Sequence, residues 1–145
     1  YENDGSKIYS LWDVYPHVDF ITYPSLYEGF GNAFLEAIYF RKPLIVNRYS
    51  VYIVDIEPKG FRTVTIDGFL NKEAVEETRE ILLNPHLRTE MVEKNYQLGK
   101  QFFSYAYLKK ELQTLLSSFY GTLSSERNPN ARDYELYHME GSDYY

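Results

Sequence analysis

The chain has 145 residues, enough for one compact domain with a sizeable core and too few for two of ordinary size. Its composition is globular, with 44% apolar and 25% charged residues, and it has no cysteine, which excludes disulfide scaffolds and thiolate metal sites. A net charge of −6 opposes a broad nucleic-acid or anionic-membrane surface. No apolar stretch approaches the ~20 residues that span a bilayer, and the N-terminus does not read as a signal peptide, so the expected compartment is the cytoplasm. His17, His86 and His138 are too scattered to suggest a metal cluster.

In chain order, Ile8, Leu11, Trp12 and Tyr15 fall at helical spacing over 6–18, with Pro16 closing the segment and Trp12 expected in the core. Val18 to Tyr23 is a β-branched and aromatic run stopped by Pro24, which reads as a buried strand. A helix is expected over 32–41, with Phe34, Leu35, Ile38 and Tyr39 on one face. The continuous apolar run from Pro43 to Asn47 reads as a strand covered on both sides. Residues 48–60 read as irregular, and 61–66 as a third strand. Beyond residue 70 the period becomes 3.6: a helix capped by Asn71 and ended by Pro85, a second carrying Leu87, Met91, Leu98 and Phe102, and a third over 104–119. Leu108, Leu112, Leu115 and Phe119 of that third helix form a stripe expected to be core, ending at Gly121.

Strand–helix–strand alternation followed by helices argues for an α/β fold, a partial Rossmann-like parallel sheet with helices on both faces. Three strands are few for such a sheet and leave exposed edges, so the sequence is expected to be the later part of a larger α/β domain or to pair with another chain. Residues 1–121 are expected to form that domain, truncated on its N-terminal side, and 122–145 a polar tail that frays. Tyrosine is abundant, 16 of 145, and suits cores, interfaces and sugar-facing clefts alike, while a compositional bias would account for it equally.

The chemistry concentrates between residues 24 and 37, at the carboxyl end of a predicted parallel strand, where open α/β sheets bind ligands. Gly29 and Gly31 bracket a turn that lets the backbone approach a ligand closely. With Asn32 as N-cap, the first amides of the following helix form an anion site suited to a diphosphate. Glu28 and Glu36, separated by seven residues, flank it. An ionised carboxylate accepts from two hydroxyls and so suits a ribose diol, and a nucleotide sugar presents hydroxyls on both sides of its phosphates. Acidic residues near a helix start also complement the helix dipole, by ~0.3–1 kcal/mol, and a Gly-x-Gly turn can serve packing alone. Spacing leaves both readings open.

Glu28-Gly29-Phe30-Gly31, then Glu36-Ala37, then Pro43 and an apolar strand, resemble the E-x7-E signature of family-4 retaining glycosyltransferases of GT-B architecture, over about residues 6–119. The resemblance implies the later half of a donor-binding domain and transfer of a sugar from a nucleotide donor to an acceptor hydroxyl with retention. It implies that Glu36 binds the ribose, that Glu28 is the catalytic-site carboxylate at the transferred sugar, that Gly29, Phe30 and Gly31 approach that sugar, and that Asn32 and Ala33 meet the diphosphate. It implies no metal and no cofactor beyond the nucleotide-sugar substrate, and an acceptor held by an N-terminal domain. The basic pair that neutralises the leaving diphosphate lies upstream in such enzymes, so the isolated chain is expected to be inactive. Where many members carry a Gly-rich turn, this chain reads Asn47-Arg48-Tyr49-Ser50-Val51-Tyr52, a departure expected to reshape the donor pocket, with Arg48 expected at the surface. The competing readings are a non-catalytic nucleotide-sugar-binding or assembly module and, less favoured by the Glu28/Glu36 spacing, a sugar-nucleotide epimerase.

Overall fold

The computed structural model describes residues 7–121. Helix α1 is a single turn, Leu11–Val14. Ser10 caps it in a reciprocal box, with Ser10 Oγ accepting from the Asp13 amide and Asp13 Oδ2 accepting from the Ser10 amide. Pro16 then turns the chain into a 3-10 segment, Tyr15–His17. The helix expected over 6–18 is therefore reduced to its middle, too short to lay a stripe on the sheet. Ile8, Leu11 and Trp12 are exposed, Trp12 by 53%, and of the four periodic residues only Tyr15 is buried.

Three parallel strands follow in sheet order: β1 (Ile21–Tyr23), β2 (Leu44–Asn47) and β3 (Val64–Ile66). Ile21 lies opposite Leu44, and Ile45 opposite Val64. The central strand is buried along its whole length, as its unbroken apolar run dictates. β1 is shorter than the expected 18–23 run and only half-buried, in contrast to β3, the other edge strand among the described residues.

Alternation along β2 separates two cores. Leu44 and Val46 face Phe34, Ala37 and Ile38 of α2 (Asn32–Tyr39), together with Tyr49, Tyr52 and Ile56. Ile45, with Val64 and Ile66 of β3, faces Ala74 and Ile81 of α3 (Lys72–Leu83) and Met91 of α4 (Pro85–Phe103). The architecture is thus the expected layered α/β arrangement, with a partial Rossmann-like sheet between helices. The stretch 48–60 is more ordered than its sequence suggests. Tyr52–Ile56 forms a π-helical turn and Glu57–Lys59 a 3-10 turn, burying Tyr52 and Ile56. A π turn has no 3.6-residue period to read, which is why the pattern looks irregular.

Asn71 caps α3 by accepting from the Ala74 amide at 2.8 Å, and Asn84 ends α3 while capping α4, with Pro85 as the first residue of the new helix. Asn95 of α4 is buried and holds Arg62 by both backbone groups, donating to its carbonyl at 2.7 Å and accepting from its amide at 2.8 Å. That side-chain amide fixes the approach to β3. Further along α4, Leu98 and Phe103 reach the α2 core, and a Cβ on Gly99 would lie 2.8 Å from Ile38 Cγ2, so glycine permits the close crossing of α4 over α2.

The described chain divides into two compact units, one through Lys110 and one from Glu111. Helix α5 (Tyr105–Tyr120) begins in the first and continues into the second, ending at Gly121 in the left-handed region. Its stripe of Leu108, Leu112, Leu115 and Phe119, expected as core, is exposed. The apolar period makes the helix amphipathic, but a period does not supply the surface that would cover it. Among the described residues no helix is long and apolar enough to cross a membrane, and no group of three His, Cys, Asp or Glu side chains could hold a metal ion.

Candidate functional site

The carboxyl ends of β1, β2 and β3 lead into neighbouring loops, and Asn47, the last residue of β2, ties the outer two together. Only 4% exposed, it donates from Nδ2 to the Ser25 carbonyl at 3.2 Å and accepts at Oδ1 from the Gly68 amide at 2.7 Å. A polar side chain at this depth needs both bonds, so the two loops hold each other through it.

The loop after β1 turns into α2 at Gly31. Gly31 is the N-cap, in the left-handed region with φ 95°, and Asn32 is the first helical residue rather than the cap. The physical reason lies in two phenols. A Cβ on Gly31 would lie 2.7 Å from Tyr49 Oη and 2.9 Å from Tyr23 Oη, so both the torsion and the space demand glycine. Tyr49 Oη donates to the Phe30 carbonyl at 2.9 Å, and the Tyr23 phenol lies beside Glu28. Burial pushes Tyr49 up to about 12, with the Glu28 charge adding to it; burial and then Glu28 push Tyr23 higher still. Phe30 is half-buried edge-on against Phe103, so its ring anchors the loop. A Cβ on Gly29 meets no protein atom within 4 Å. Gly31, Asn32 and Ala33 thus form a tight turn into an eight-residue helix whose first amides lack intrahelical acceptors.

Glu36 lies on the next turn of α2, half-buried, and accepts from Tyr15 Oη at 2.8 Å. Tyr15 is buried with its ring stacked on Phe40, centroids 4.8 Å apart. Burial and then Glu36 push its phenol up to about 12. Beside Glu36 is a cavity of about 380 Å³ whose lining includes Trp12, Leu35, Tyr39, Tyr96 and Lys100. It offers ring-lined apolar surface next to a carboxylate.

The structure therefore gathers Glu28, Gly29, Phe30, Gly31, Asn32 and Ala33 into one corner, with Glu36 on the adjoining face of the same helix, held by a different tyrosine. Arg48, expected at the surface, is half-buried and makes a bidentate pair with Glu57, at 3.0 and 2.9 Å, inside the departure from the Gly-rich turn. Sequence reasoning missed Tyr15 and Tyr23; it placed Asn47 and Tyr49 in a stretch expected to reshape the pocket without foreseeing the bonds they make to the Ser25 and Phe30 carbonyls. For Tyr15 and Tyr23 the available signal was the excess of tyrosine. The tail tyrosines Tyr134, Tyr137, Tyr144 and Tyr145 lie outside the described residues.

Chemically, the corner can accept hydroxyl donors at two carboxylates and receive an anion at the helix start. No solved structure matches the chain. Among curated proteins, mannosylglucosylglycerate synthase of Thermotoga maritima is 39% identical, over 65% of this chain and 25% of that protein. The enzyme of the same name from Petrotoga mobilis is 39% identical over 70% of this chain and 26% of its own length. The chain thus spans about a quarter of the length of these relatives. The sequence profile described as glycosyl transferases group 1 matches residues 6–98, which contain the three strands, α2 and both carboxylates, and the chain belongs to that family.

Proposed function

We propose that this chain is the donor-binding part of a retaining glycosyltransferase that moves a hexosyl unit from a nucleotide sugar to an acceptor hydroxyl. The observation that carries the reading is the start of α2 at a glycine whose torsion and crowding would strain any other residue, with Glu28 before it and Glu36 one turn after it. In this reading the diphosphate meets the amides of Asn32 and Ala33, Glu36 accepts from the ribose hydroxyls, and Glu28 accepts from hydroxyls of the transferred sugar above Gly29 and Phe30. Catalysis is electrostatic: negative charge that grows on the departing diphosphate is met by helix amides already in place and by basic groups from the rest of the protein. The reading invokes no metal and no cofactor. Because the chain spans about a quarter of its relatives, we expect the 145 residues alone to bind donor without turning it over. The relatives are named for mannosylglucosylglycerate, and we extend that chemistry here to a small glycosylated acid as acceptor.

The test separates the two carboxylates. Calorimetric titration with UDP, GDP and their hexose conjugates should show Glu36→Ala weakening the bare nucleotide roughly tenfold or more, as expected for a lost charged hydrogen bond. Glu28→Ala should weaken only the sugar-bearing donor. Equal loss of the bare nucleotide in both variants contradicts the assignment.

A further inference from the structure

We propose that Tyr15 is a positioning residue for the nucleotide: it holds the Glu36 carboxylate in the orientation that accepts a ribose diol. The inference rests on the reading above that Glu36 meets the ribose.

A glutamate side chain on a helix surface has several rotamers open to it, and a diol needs one of them. Tyr15 Oη donates to Glu36 Oε2 at 2.8 Å. The donor is itself immobile: Tyr15 is 5% exposed, stacked at 3° to Phe40, and followed by Pro16. It also lies directly after the one-turn helix whose start is locked by the Ser10 capping box. A carboxylate has about four lone-pair positions. Tyr15 occupies one on Oε2, which leaves Oε1 and the remaining position on Oε2 for the two hydroxyls of a ribose. Burial, and then Glu36, push the phenol from its ordinary value of 10.0 up to about 12, so it remains a donor at neutral pH. The same arrangement gives the capped turn of α1, which otherwise buries nothing, a reason to be built.

A 2′-deoxy ligand isolates this role, because it removes one of the hydroxyls that the oriented carboxylate would receive. UDP, GDP and ADP are titrated calorimetrically against the protein at its full natural length, and the tightest binder is compared with its 2′-deoxy counterpart. Wild type should prefer the ribonucleotide. Glu36→Gln should abolish the preference. Tyr15→Phe, which keeps the ring on Phe40, should lose roughly three- to tenfold in ribonucleotide affinity, the worth of one ordinary hydrogen bond, with a smaller loss for the deoxynucleotide, which keeps only its 3′-hydroxyl. Equal losses for both ligands in Tyr15→Phe would mean a merely structural tyrosine and overturn the proposal. So would an unaltered preference in Tyr15→Phe when Glu36→Gln has lost it, and that outcome leaves the ribose role of Glu36 standing. A wild type indifferent to the 2′-hydroxyl, or a Glu36→Gln variant that keeps the preference, removes the ribose reading and the positioning role together.

Discussion

The two carboxylates of the corner are held in different ways. Glu28 lies in a loop, and its surroundings are fastened from several directions: the Tyr23 phenol lies beside it, Tyr49 bonds the Phe30 carbonyl, and Asn47 joins the loop to the one after β3. Glu36 lies in a helix and, among the described residues, receives its hydrogen bond from Tyr15. A helix places its side chains by its own backbone hydrogen bonds, so only orientation is left to a partner. An irregular loop has no such lattice, and every backbone group must find its place through tertiary partners. Damage should therefore spread further on the Glu28 side.

Gly31→Ala attacks that side hardest. It forces a β-carbon into the left-handed region and onto two phenol oxygens, and should cost about 3 kcal/mol in urea denaturation. A midpoint equal to wild type would show that the loop yields freely and that the contrast is false. Asn47→Ala leaves the Ser25 carbonyl and the Gly68 amide without their partner and should cost about 2 kcal/mol, with the loops after β1 and β3 exchanging amide hydrogens faster and α2 unchanged. Exchange rising equally in α2 would mean that the two sides are one unit.

Alkaline titration compares both sides in one experiment. Tyr15 and Tyr49 are pushed up to about 12 by burial first and neighbouring charge second, from an ordinary value of 10.0. Folded-state values above the unfolded ones contribute stability that is whole below pH 10 and is lost as pH rises toward 12. Phenolate absorbance should thus rise first as exposed tyrosines ionise and again, later, with loss of the fold. One step near pH 10 with the fold intact would contradict the burial of both phenols. The smallest effect is expected at Gly29, where a methyl group meets no protein atom. Gly29→Ala should change stability by less than about 0.5 kcal/mol while weakening the nucleotide sugar, and a loss comparable to Gly31→Ala would erase the difference between the two glycines.

Much of the scaffold was legible before folding. The apolar run of β2 announces a strand buried on both faces, and Asn71, Asn84 and Pro85 mark the ends of α3 and α4 by local chemistry alone. The glycine turn and paired carboxylates between β1 and α2 likewise stand out, because strand, turn and helix start are written in consecutive residues. Trp12 and the α5 stripe read as core and are exposed instead, since periodicity states that a face is apolar and not what lies against it.

Local pattern, then, determined the order of elements, their caps and the corner where the carboxylates sit, because those depend on torsions and neighbours within a few residues. Which groups hold that corner was decided only by the tertiary structure. Tyr15 is 21 residues from Glu36, Tyr49 is 19 from Phe30, and Asn47 is 22 from Ser25. Tyr49 and Asn47 meet their partners because parallel strands return the chain to the same edge of the sheet, whereas Tyr15, ahead of β1, meets Glu36 where α2 runs back past it; one tyrosine in a sequence looks like any other until those elements are assembled.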